Sequence, residues 1–423
     1  MQTSPVLLLL LLAACGGDTA GRNSAAVARD SAGIAILEFP AGAIEDAPEW
    51  TLSKEPLAII GDDSPDATLD LTTATLGGIL SDGRVVVATA QPAQIMLFGA
   101  DGAQVGTLGR AGEGPGEYRA LIQLLILPGD TVLAFEVTRR KGILYGADGT
   151  LLGELDFPLL ADRPIVPLMR GRLDDGSFVL SGETLLPQTP EGNEKIYRLD
   201  LPIFALGSAA TNYDTVTVTR GTQSYRSSLT FGNQVMPISR QVGFGPSPQI
   251  AVTRNGFWLS TGDVAELREF VVSGATFPAQ PSRVVRFNQP RREVTEADRE
   301  RYREQAAEGL ERLKGAIPAE LLDVEIAKLK ETVFANSFPA IGQLRADHLG
   351  RLWMTSGTSL GDDMTTWTML DPDGKPIGRV TLPEGTLFAV AEDRVVIRRE
   401  DPASGLVRLE VWGVVGSGWG GGG

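Results

Sequence analysis

The chain alternates between short apolar runs and tight polar turns, and the clearest example spans Gly109 to Phe157. The turn-rich stretch GRAGEGPGEY (Gly109 to Tyr118) leads into the apolar run Leu121 to Leu127, and Pro128-Gly129-Asp130 turns the chain into Thr131 to Phe135. A third run, Gly142 to Gly146, passes through Ala147-Asp148-Gly149 to a fourth, Thr150 to Leu155. Runs of this length between Gly, Asp and Pro clusters predict four strands of one antiparallel meander.

The turn between the first two strands of the unit recurs. It stands at Ser81-Asp82-Gly83, Pro128-Gly129-Asp130, Asp174-Asp175-Gly176, Arg254-Asn255-Gly256, His348-Leu349-Gly350 and Ala391-Glu392-Asp393. Gly adopts positive φ at little steric cost, and Asn or Asp tolerate it. A minimum spacing of about 45 residues between copies predicts small sheets repeated around a circle, a β-propeller. One meander cannot bury both of its faces, whereas a ring buries each against a neighbour.

Other segments break the strand period. Thr295 followed by Asp298 approximates a capping box, and Tyr302, Ala306, Leu310 and Leu313 make one helical stripe. Gly315 and Pro318 interrupt it, and Leu322, Ile326, Leu329 and Val333 form a second stripe. The expectation is a helical hairpin over 295–333, read as a strut packed on the ring rather than a lid. Tyr213 to Arg220 alternates as an exposed strand and is expected, with Ser224 to Val235, to form a hairpin extension of the third unit. Trp50 to Ile60 is expected to complete the last unit, joining the two ends of the chain.

At the front, Val6 to Leu12 is too short to span a bilayer and reads as the apolar core of a signal peptide. The expected organisation is a signal peptide over 1–14, a flexible tether over 15–32, the propeller over 33–412 and a Gly-rich tail over 413–423.

The strand-turn-strand pattern after GRAGEGPGEY, with its Ala-Asp-Gly turn, resembles the NHL-repeat group of six-bladed propellers. The match is good over Leu71 to Leu155 and again over Phe338 to Leu382. The whole chain resembles bacterial lipid-anchored six-bladed β-propeller proteins, which implies an all-β, six-bladed fold carrying the helical insertion. Leu12-Ala13-Ala14-Cys15 resembles a lipobox, implying cleavage before Cys15 and acylation of that residue. Gly16 rather than Asp after the Cys resembles an outer-membrane sorting signal. More than one acyl chain gives a stable anchor where one does not.

Composition narrows the chemistry. A formal charge of −15 argues against nucleic acid as partner and against docking to anionic lipid through charge. The 423 residues contain one Cys and one His, so an internal disulfide, a Cys-rich zinc site and a three-His zinc site are all excluded. A Ser-His-Asp triad would have to use His348, which reads as a solvated hairpin-tip residue. Gly112, Gly114 and Gly116 suggest a phosphate loop only superficially, because they join strand to strand rather than strand to helix. Asp62, Asp63, Asp66 and Asp70 could offer oxygens to calcium, but their spacing is not that of an EF-hand and a solvated turn is the simpler reading.

Propeller ligands sit where loops converge on the central channel. The candidates in loops entering innermost strands are Glu117, Tyr118, Arg119, Asn336 and Phe338. Arg139, Arg140 and Lys141 lie in the turn between the second and third strands of the second unit. Arg170 and Arg172 alternate on an innermost strand and are expected to face the channel together. The functional expectation is a non-enzymatic envelope scaffold binding a protein, peptide or glycan, attached to the membrane only through lipid, with no cofactor. The alternative is a calcium-dependent lactonase-like hydrolase, by resemblance to other six-bladed propellers.

Overall fold

The computed structural model describes residues 26–416, apart from 62–68, 91, 137–138, 161–166, 184–193, 209, 232–233, 313, 315–317, 358–363 and 402–404. The signal segment, Cys15, Asp62, Asp63 and Asp66 therefore lie outside the described residues, as do Leu313, Gly315 and most of the Gly-rich tail. No described helix is long and apolar enough to cross a membrane.

Antiparallel meanders follow one another along the chain. Meander A is Ala74–Ile79, Val85–Ala90, Ala93–Phe98 and Gln104–Thr107. Meander B is Leu121–Leu127, Thr131–Glu136, Lys141–Tyr145 and Leu151–Asp156. Meander C is Leu168–Arg172, Phe178–Ser181, Asp200–Leu206 and Asp214–Arg220. Meander D is Gln249–Val252, Gly256–Ser260, Glu266–Val271 and Arg283–Phe287. Meander E is Leu344–Ala346, Leu352–Met354, Met364–Leu370 and Pro376–Pro383. Meander F takes Thr386–Val390, Arg394–Glu400 and Val407–Val415 from the back of the chain and Ala58–Ile60 from the front. The two ends thus join at the last unit through Ala58–Ile60, while the front of the expected stretch, Glu49–Leu52, runs parallel to Pro376–Pro383 at the outer edge of E and meets F only at Val414 and Val415.

The hydrophobic core is divided among the spaces between meanders. Val86, Ala88 and Ile95 of A pack with Leu124, Val132 and Ile143 of B. Phe135 and Phe157 of B pack with Phe178 and Leu180 of C. Val179 and Ile203 of C meet Phe257 and Leu259 of D, and Trp258 and Val285 of D meet Leu352 and Leu370 of E. Trp353 and Trp367 of E lie against Val395 and Ile397 of F, and Val396 and Leu409 of F against Val85 and Met96 of A. Each sheet therefore hides both faces against its neighbours, and the sequence of contacts returns to its start.

Innermost strands of neighbouring meanders approach closely at two places. The Cβ positions of Gly78 and Gly171 would overlap Ile126 and Val252 of the next meander, so glycine there lets neighbouring strands approach near the axis. Side-chain bonds to backbone stitch the same strands. Gln123 donates to Met169 O at 2.7 Å and accepts from Met169 N at 3.0 Å, and Arg398 donates to Ala74 O at 3.2 Å.

The turn chemistry matches the sequence reading at several copies. Gly83, Gly129, Gly176 and Gly350 all adopt positive φ. In Asp175-Gly176-Ser177 the carboxylate accepts from the Ser177 N–H at 2.9 Å, closing the turn locally. At Arg254-Asn255-Gly256 and Ala391-Glu392-Asp393 no residue takes positive φ, and backbone bonds from Thr253 N to Gly256 O and from Ala391 N to Arg394 O close the hairpins instead.

Three expectations change. Asp214–Arg220 is not an extension of the third unit but its outermost strand, paired with Asp200–Leu206. The extra hairpin lies one step later, Ser224–Phe231 with Gln234–Gln241, joined by Ile196–Tyr197. The alternation over Asp200–Leu206 is broken by Pro202 and hidden in a nearly continuous apolar run, so its period gave no strand signal. Near the front, Val27–Ser31, inside the stretch expected as a tether, pairs with Ile34–Phe39, which runs parallel to Arg283–Phe287 at the outer edge of D.

Two helices connect D to E. Helix α1 is Glu296–Glu311 and α2 is Ala319–Lys328. Thr295 Oγ1 accepts from Asp298 N at 3.2 Å and Asp298 Oδ2 accepts from Thr295 N at 2.9 Å, a complete capping box as expected. No residue of α1 is buried. Tyr302 of α1 packs against Phe244 and Phe334, Leu322 of α2 is buried, and polar contacts add to this. Arg292 stacks 4.1 Å over Phe338, Arg312 pairs with Glu400 at the end of the second strand of F, and Glu325 pairs with Arg240 of the extra hairpin at 2.7 Å.

Candidate functional site

In a meander, the loop between strands two and three and the connection to the next meander emerge on the same side of the ring. The GRAGEGPGEY loop, the extra hairpin and both helices are such connections, so all of them crown one face. His348 lies in a first-to-second-strand turn, on the opposite face, and is exposed. The neighbouring Asp347 carboxylate accepts from Leu349 N, Arg351 N, Arg351 Nε and Trp353 Nε1. That commitment leaves it no capacity to orient an imidazole.

On the crowned face the ends of the second strands of A, B, D and E carry a polar group that closes the following loop. Thr89 Oγ1 donates to Pro92 O at 2.8 Å, and Glu136 accepts from Arg139 N at 2.9 Å. Ser260 accepts from Gly262 N at 3.2 Å, and Thr355 donates to Gly357 O at 3.1 Å. All four are buried. The same device in C is Ser181, which donates to Glu183 at 3.3 Å and accepts from Arg170 Nε at 2.8 Å.

The candidate residues separate into distinct environments. Tyr118 is fully buried; its hydroxyl donates to Leu108 O at 2.8 Å and accepts from Ile95 N at 2.9 Å. Phe338 is buried in an aromatic cluster with Phe244, Tyr302 and Phe334. Neither offers a surface to a ligand, which corrects their reading as mouth residues: an aromatic ring at the start of a sheet has more to gain between sheets than in water. Arg139 donates to Glu113 O and Glu117 O and pairs with buried Glu136 at 3.3 Å, so it braces the GRAGEGPGEY loop. Arg119 is exposed and pairs with Glu113 at 2.7 Å, while Lys141 is bound to Glu154 and Asp156. Asn336 accepts from Val294 N through its backbone at the base of the helices. Arg140 lines a crevice of about 290 Å³ with Asp156, Phe157, Pro158 and Thr211, between B and C.

Arg170 and Arg172 are not brought together. A bulge between Met169 and Gly171 breaks the alternation, and the register sets Arg172 on the face of Met169. Arg172 donates to Gly176 O at 3.2 Å and lies over the Phe178 ring. Arg170 pairs with Glu183, and desolvation lowers its pKa.

Sequence reasoning missed Arg345. It lies on Leu344–Ala346, the innermost strand of E, and is exposed, yet desolvation by the surrounding chain lowers its pKa. The Arg345 side chain has no hydrogen-bond or ion-pair partner among the described residues. Among those residues no three His, Cys, Asp or Glu side chains gather into a group that could hold a metal.

No family model and no curated protein matches the chain. Solved structures share its outline. A protein described as exported, from Bacteroides fragilis NCTC 9343, is 14% identical with a TM-score of 0.45, covering 90% of this chain and 99% of that one. Regucalcin, a calcium-binding protein from Agrobacterium tumefaciens strain C58, is 11% identical with a TM-score of 0.36, covering 88% and 97%. A gluconolactonase from Xanthomonas campestris is 12% identical with a TM-score of 0.37, covering 86% and 98%. Similarity at this level assigns no role to any residue.

Proposed function

We propose that the chain is a six-bladed, NHL-like β-propeller, anchored through a lipid on Cys15 to the outer membrane of a bacterial envelope. It acts there as a scaffold that binds a protein, peptide or glycan. Meanders A to F are the blades and the two helices are an insertion between the fourth and fifth. The observation that carries the reading is the one-sided crown. The added hairpin, the helix pair and the longest described loop stand on a single face of a ring whose turns are closed by their own side chains. Rigid scaffold below and elaborated loops above is the arrangement binding sites use. The calcium-dependent lactonase-like alternative is not better supported: among the described residues no three His, Cys, Asp or Glu side chains gather into a group that could hold a metal.

The test uses the full-length chain in a Gram-negative host. Cys15→Ser is expected to abolish lipid labelling and to release the protein from the outer-membrane fraction. A photo-crosslinking residue at position 119, on the crowned face, is expected to give adducts that one at position 348 does not. Equal adducts from both faces, or calcium-dependent turnover of a lactone by the wild type, would overturn the reading.

A further inference from the structure

We propose that the far end of the extra hairpin, Ser224–Phe231 with Gln234–Gln241, dips into the lipid surface to which the chain is anchored. The inference goes beyond the scaffold reading and rests on its lipid anchor, because it says which part of the ring meets the bilayer.

The hairpin changes character along its length. Its base is tied down: Ile196–Tyr197 pairs with Ser224 and Tyr225, Arg240 pairs with Glu325 of α2 at 2.7 Å, and Lys328 donates to Ser228 O. From Ser227 to Ser239, SSLTFGNQVMPIS, the sequence holds no charged residue, although 22% of the whole chain is charged. Val235 and Met236 lie on opposite faces of the ribbon, since successive side chains of a strand alternate. They are 66% and 45% exposed, so neither face is covered at that level. Pro237 beside them is exposed too. Val235 is the most exposed large apolar side chain among the described residues. Scattered apolar residues on a surface need no explanation, but apolar residues gathered at the far end of an arm mark a contact site.

The route of the chain's front says what that contact is. Ile34–Phe39 runs parallel to Arg283–Phe287, the fourth strand of D, whose end lies on the crowned face. Val27–Ser31 runs back along it with Val27 opposite Glu38, so it begins at that same end. Glu38 accepts there from Arg29 at 2.9 Å and from Arg286 at 3.1 Å. The residues before Val27 therefore join the outer edge of D on the crowned side. Cys15 precedes Val27 by so few residues that the link between them spans at most about 40 Å. A bilayer holding Cys15 is thus within reach of the crowned edge of D, and the hairpin belongs to the connection that enters D from C.

Charge gives the contact its kind. A chain of −15 gains nothing from anionic headgroups, whereas an uncharged apolar tip is favoured by leaving water. The contact is apolar insertion and not electrostatic adhesion. The GRAGEGPGEY loop stands two junctions further round the ring, between A and B, which leaves that side of the crown to a partner.

The experiment places the full-length, lipidated chain in vesicles of phosphatidylcholine and phosphatidylethanolamine. With Cys15 acylated, an added cysteine is the one free thiol. Val235→Cys and, separately, His348→Cys on the opposite face each take a polarity-sensitive fluorophore. The label at 235 is expected to shift its emission to shorter wavelength and to be quenched by lipids brominated on their acyl chains. The label at 348 is expected to do neither. Met236→Asp in the 235-labelled chain should remove the shift, and added phosphatidylglycerol should leave it no larger. Met236→Cys serves if Val235→Cys does not fold. No shift at 235 or 236, equal quenching at 235 and 348, or a shift that requires phosphatidylglycerol would each overturn the proposal. Crosslinks from 235 in cells that reach a protein and not lipid would do the same. If Cys15 proves unlipidated, the same labels in the Cys15→Ser chain read the tip alone. A vesicle-dependent shift there keeps the tip and drops the anchor, and no shift sinks both. A lipidated chain whose tip label ignores vesicles keeps the anchor and sinks the tip.

Discussion

Replacing Tyr118 by Phe separates a structural role for the GRAGEGPGEY loop from a ligand-binding one. The hydroxyl is fully buried and joins two backbone groups, accepting from Ile95 N at 2.9 Å and donating to Leu108 O at 2.8 Å. Phe fills nearly the same volume, so packing is kept and only the hydroxyl goes. That leaves a buried N–H and a buried C=O without this partner, each costing about 1–3 kcal/mol. The expected loss is therefore about 2–6 kcal/mol, read as a lower urea midpoint with the slope unchanged. The surroundings reinforce the prediction. A Cβ on Gly109 would overlap the Tyr145 hydroxyl, and that hydroxyl donates to Gly116 O at 2.8 Å, so both tyrosines hold the loop to the sheets beneath. Desolvation raises the Tyr118 pKa from 10.0 to about 12, against the smaller opposing effect of the Ile95 N–H. Because the folded value is the higher one, its contribution is full below pH 10 and is lost as the pH rises through about 12. The Phe variant should lack that part of the alkaline loss. A change below about 0.5 kcal/mol, with an alkaline profile like the wild type, would refute the reasoning.

Two further outcomes are expected. Thr295→Ala removes the side-chain acceptor of Asp298 N and should destabilise α1 by about 1 kcal/mol, seen as faster amide exchange over Glu296–Glu311 with meanders A to C unaffected. At acid pH the Asp-Gly-Thr and Asp-Gly-Ser turns should loosen. The Thr150 hydroxyl and N–H hold the Asp148 pKa below 3.8, and the Ser177 hydroxyl and N–H do the same for Asp175. Both stabilise above the unfolded value and lose that effect as pH falls through the lower folded one. Carboxylate carbon shifts followed through an acid titration should therefore move below pH 3.8, and midpoints at or above it would contradict the assignment.

The amino-acid sequence by itself determined the local grammar of this protein. Asp-Gly turns, short β-branched and apolar runs and the Thr295–Asp298 box each act through neighbours in the chain, so their meaning survives without coordinates. The same locality made the joining of front and back readable, because Ala58–Ile60 is an apolar strand lacking a meander of its own. Tertiary structure decided what a neighbour in space contributes. Tyr118 and Phe338 sit at loop positions in the sequence and inside the core in the fold, because an adjacent sheet or helix covers them. The recurring polar residue at the end of the second strands of A to E escaped notice because Thr89, Glu136, Ser181, Ser260 and Thr355 share a position and not a residue type. A bulge at Met169–Gly171 parted Arg170 from Arg172, and an extra residue in a strand leaves no mark in its hydrophobic period. Arg345 stands beside Asp347 in the chain, an apparent ion pair, yet that carboxylate is turned to Arg351 and Trp353. Which charge lacks a partner depends on where every other charge has gone, and the chain settles that only when the ring closes.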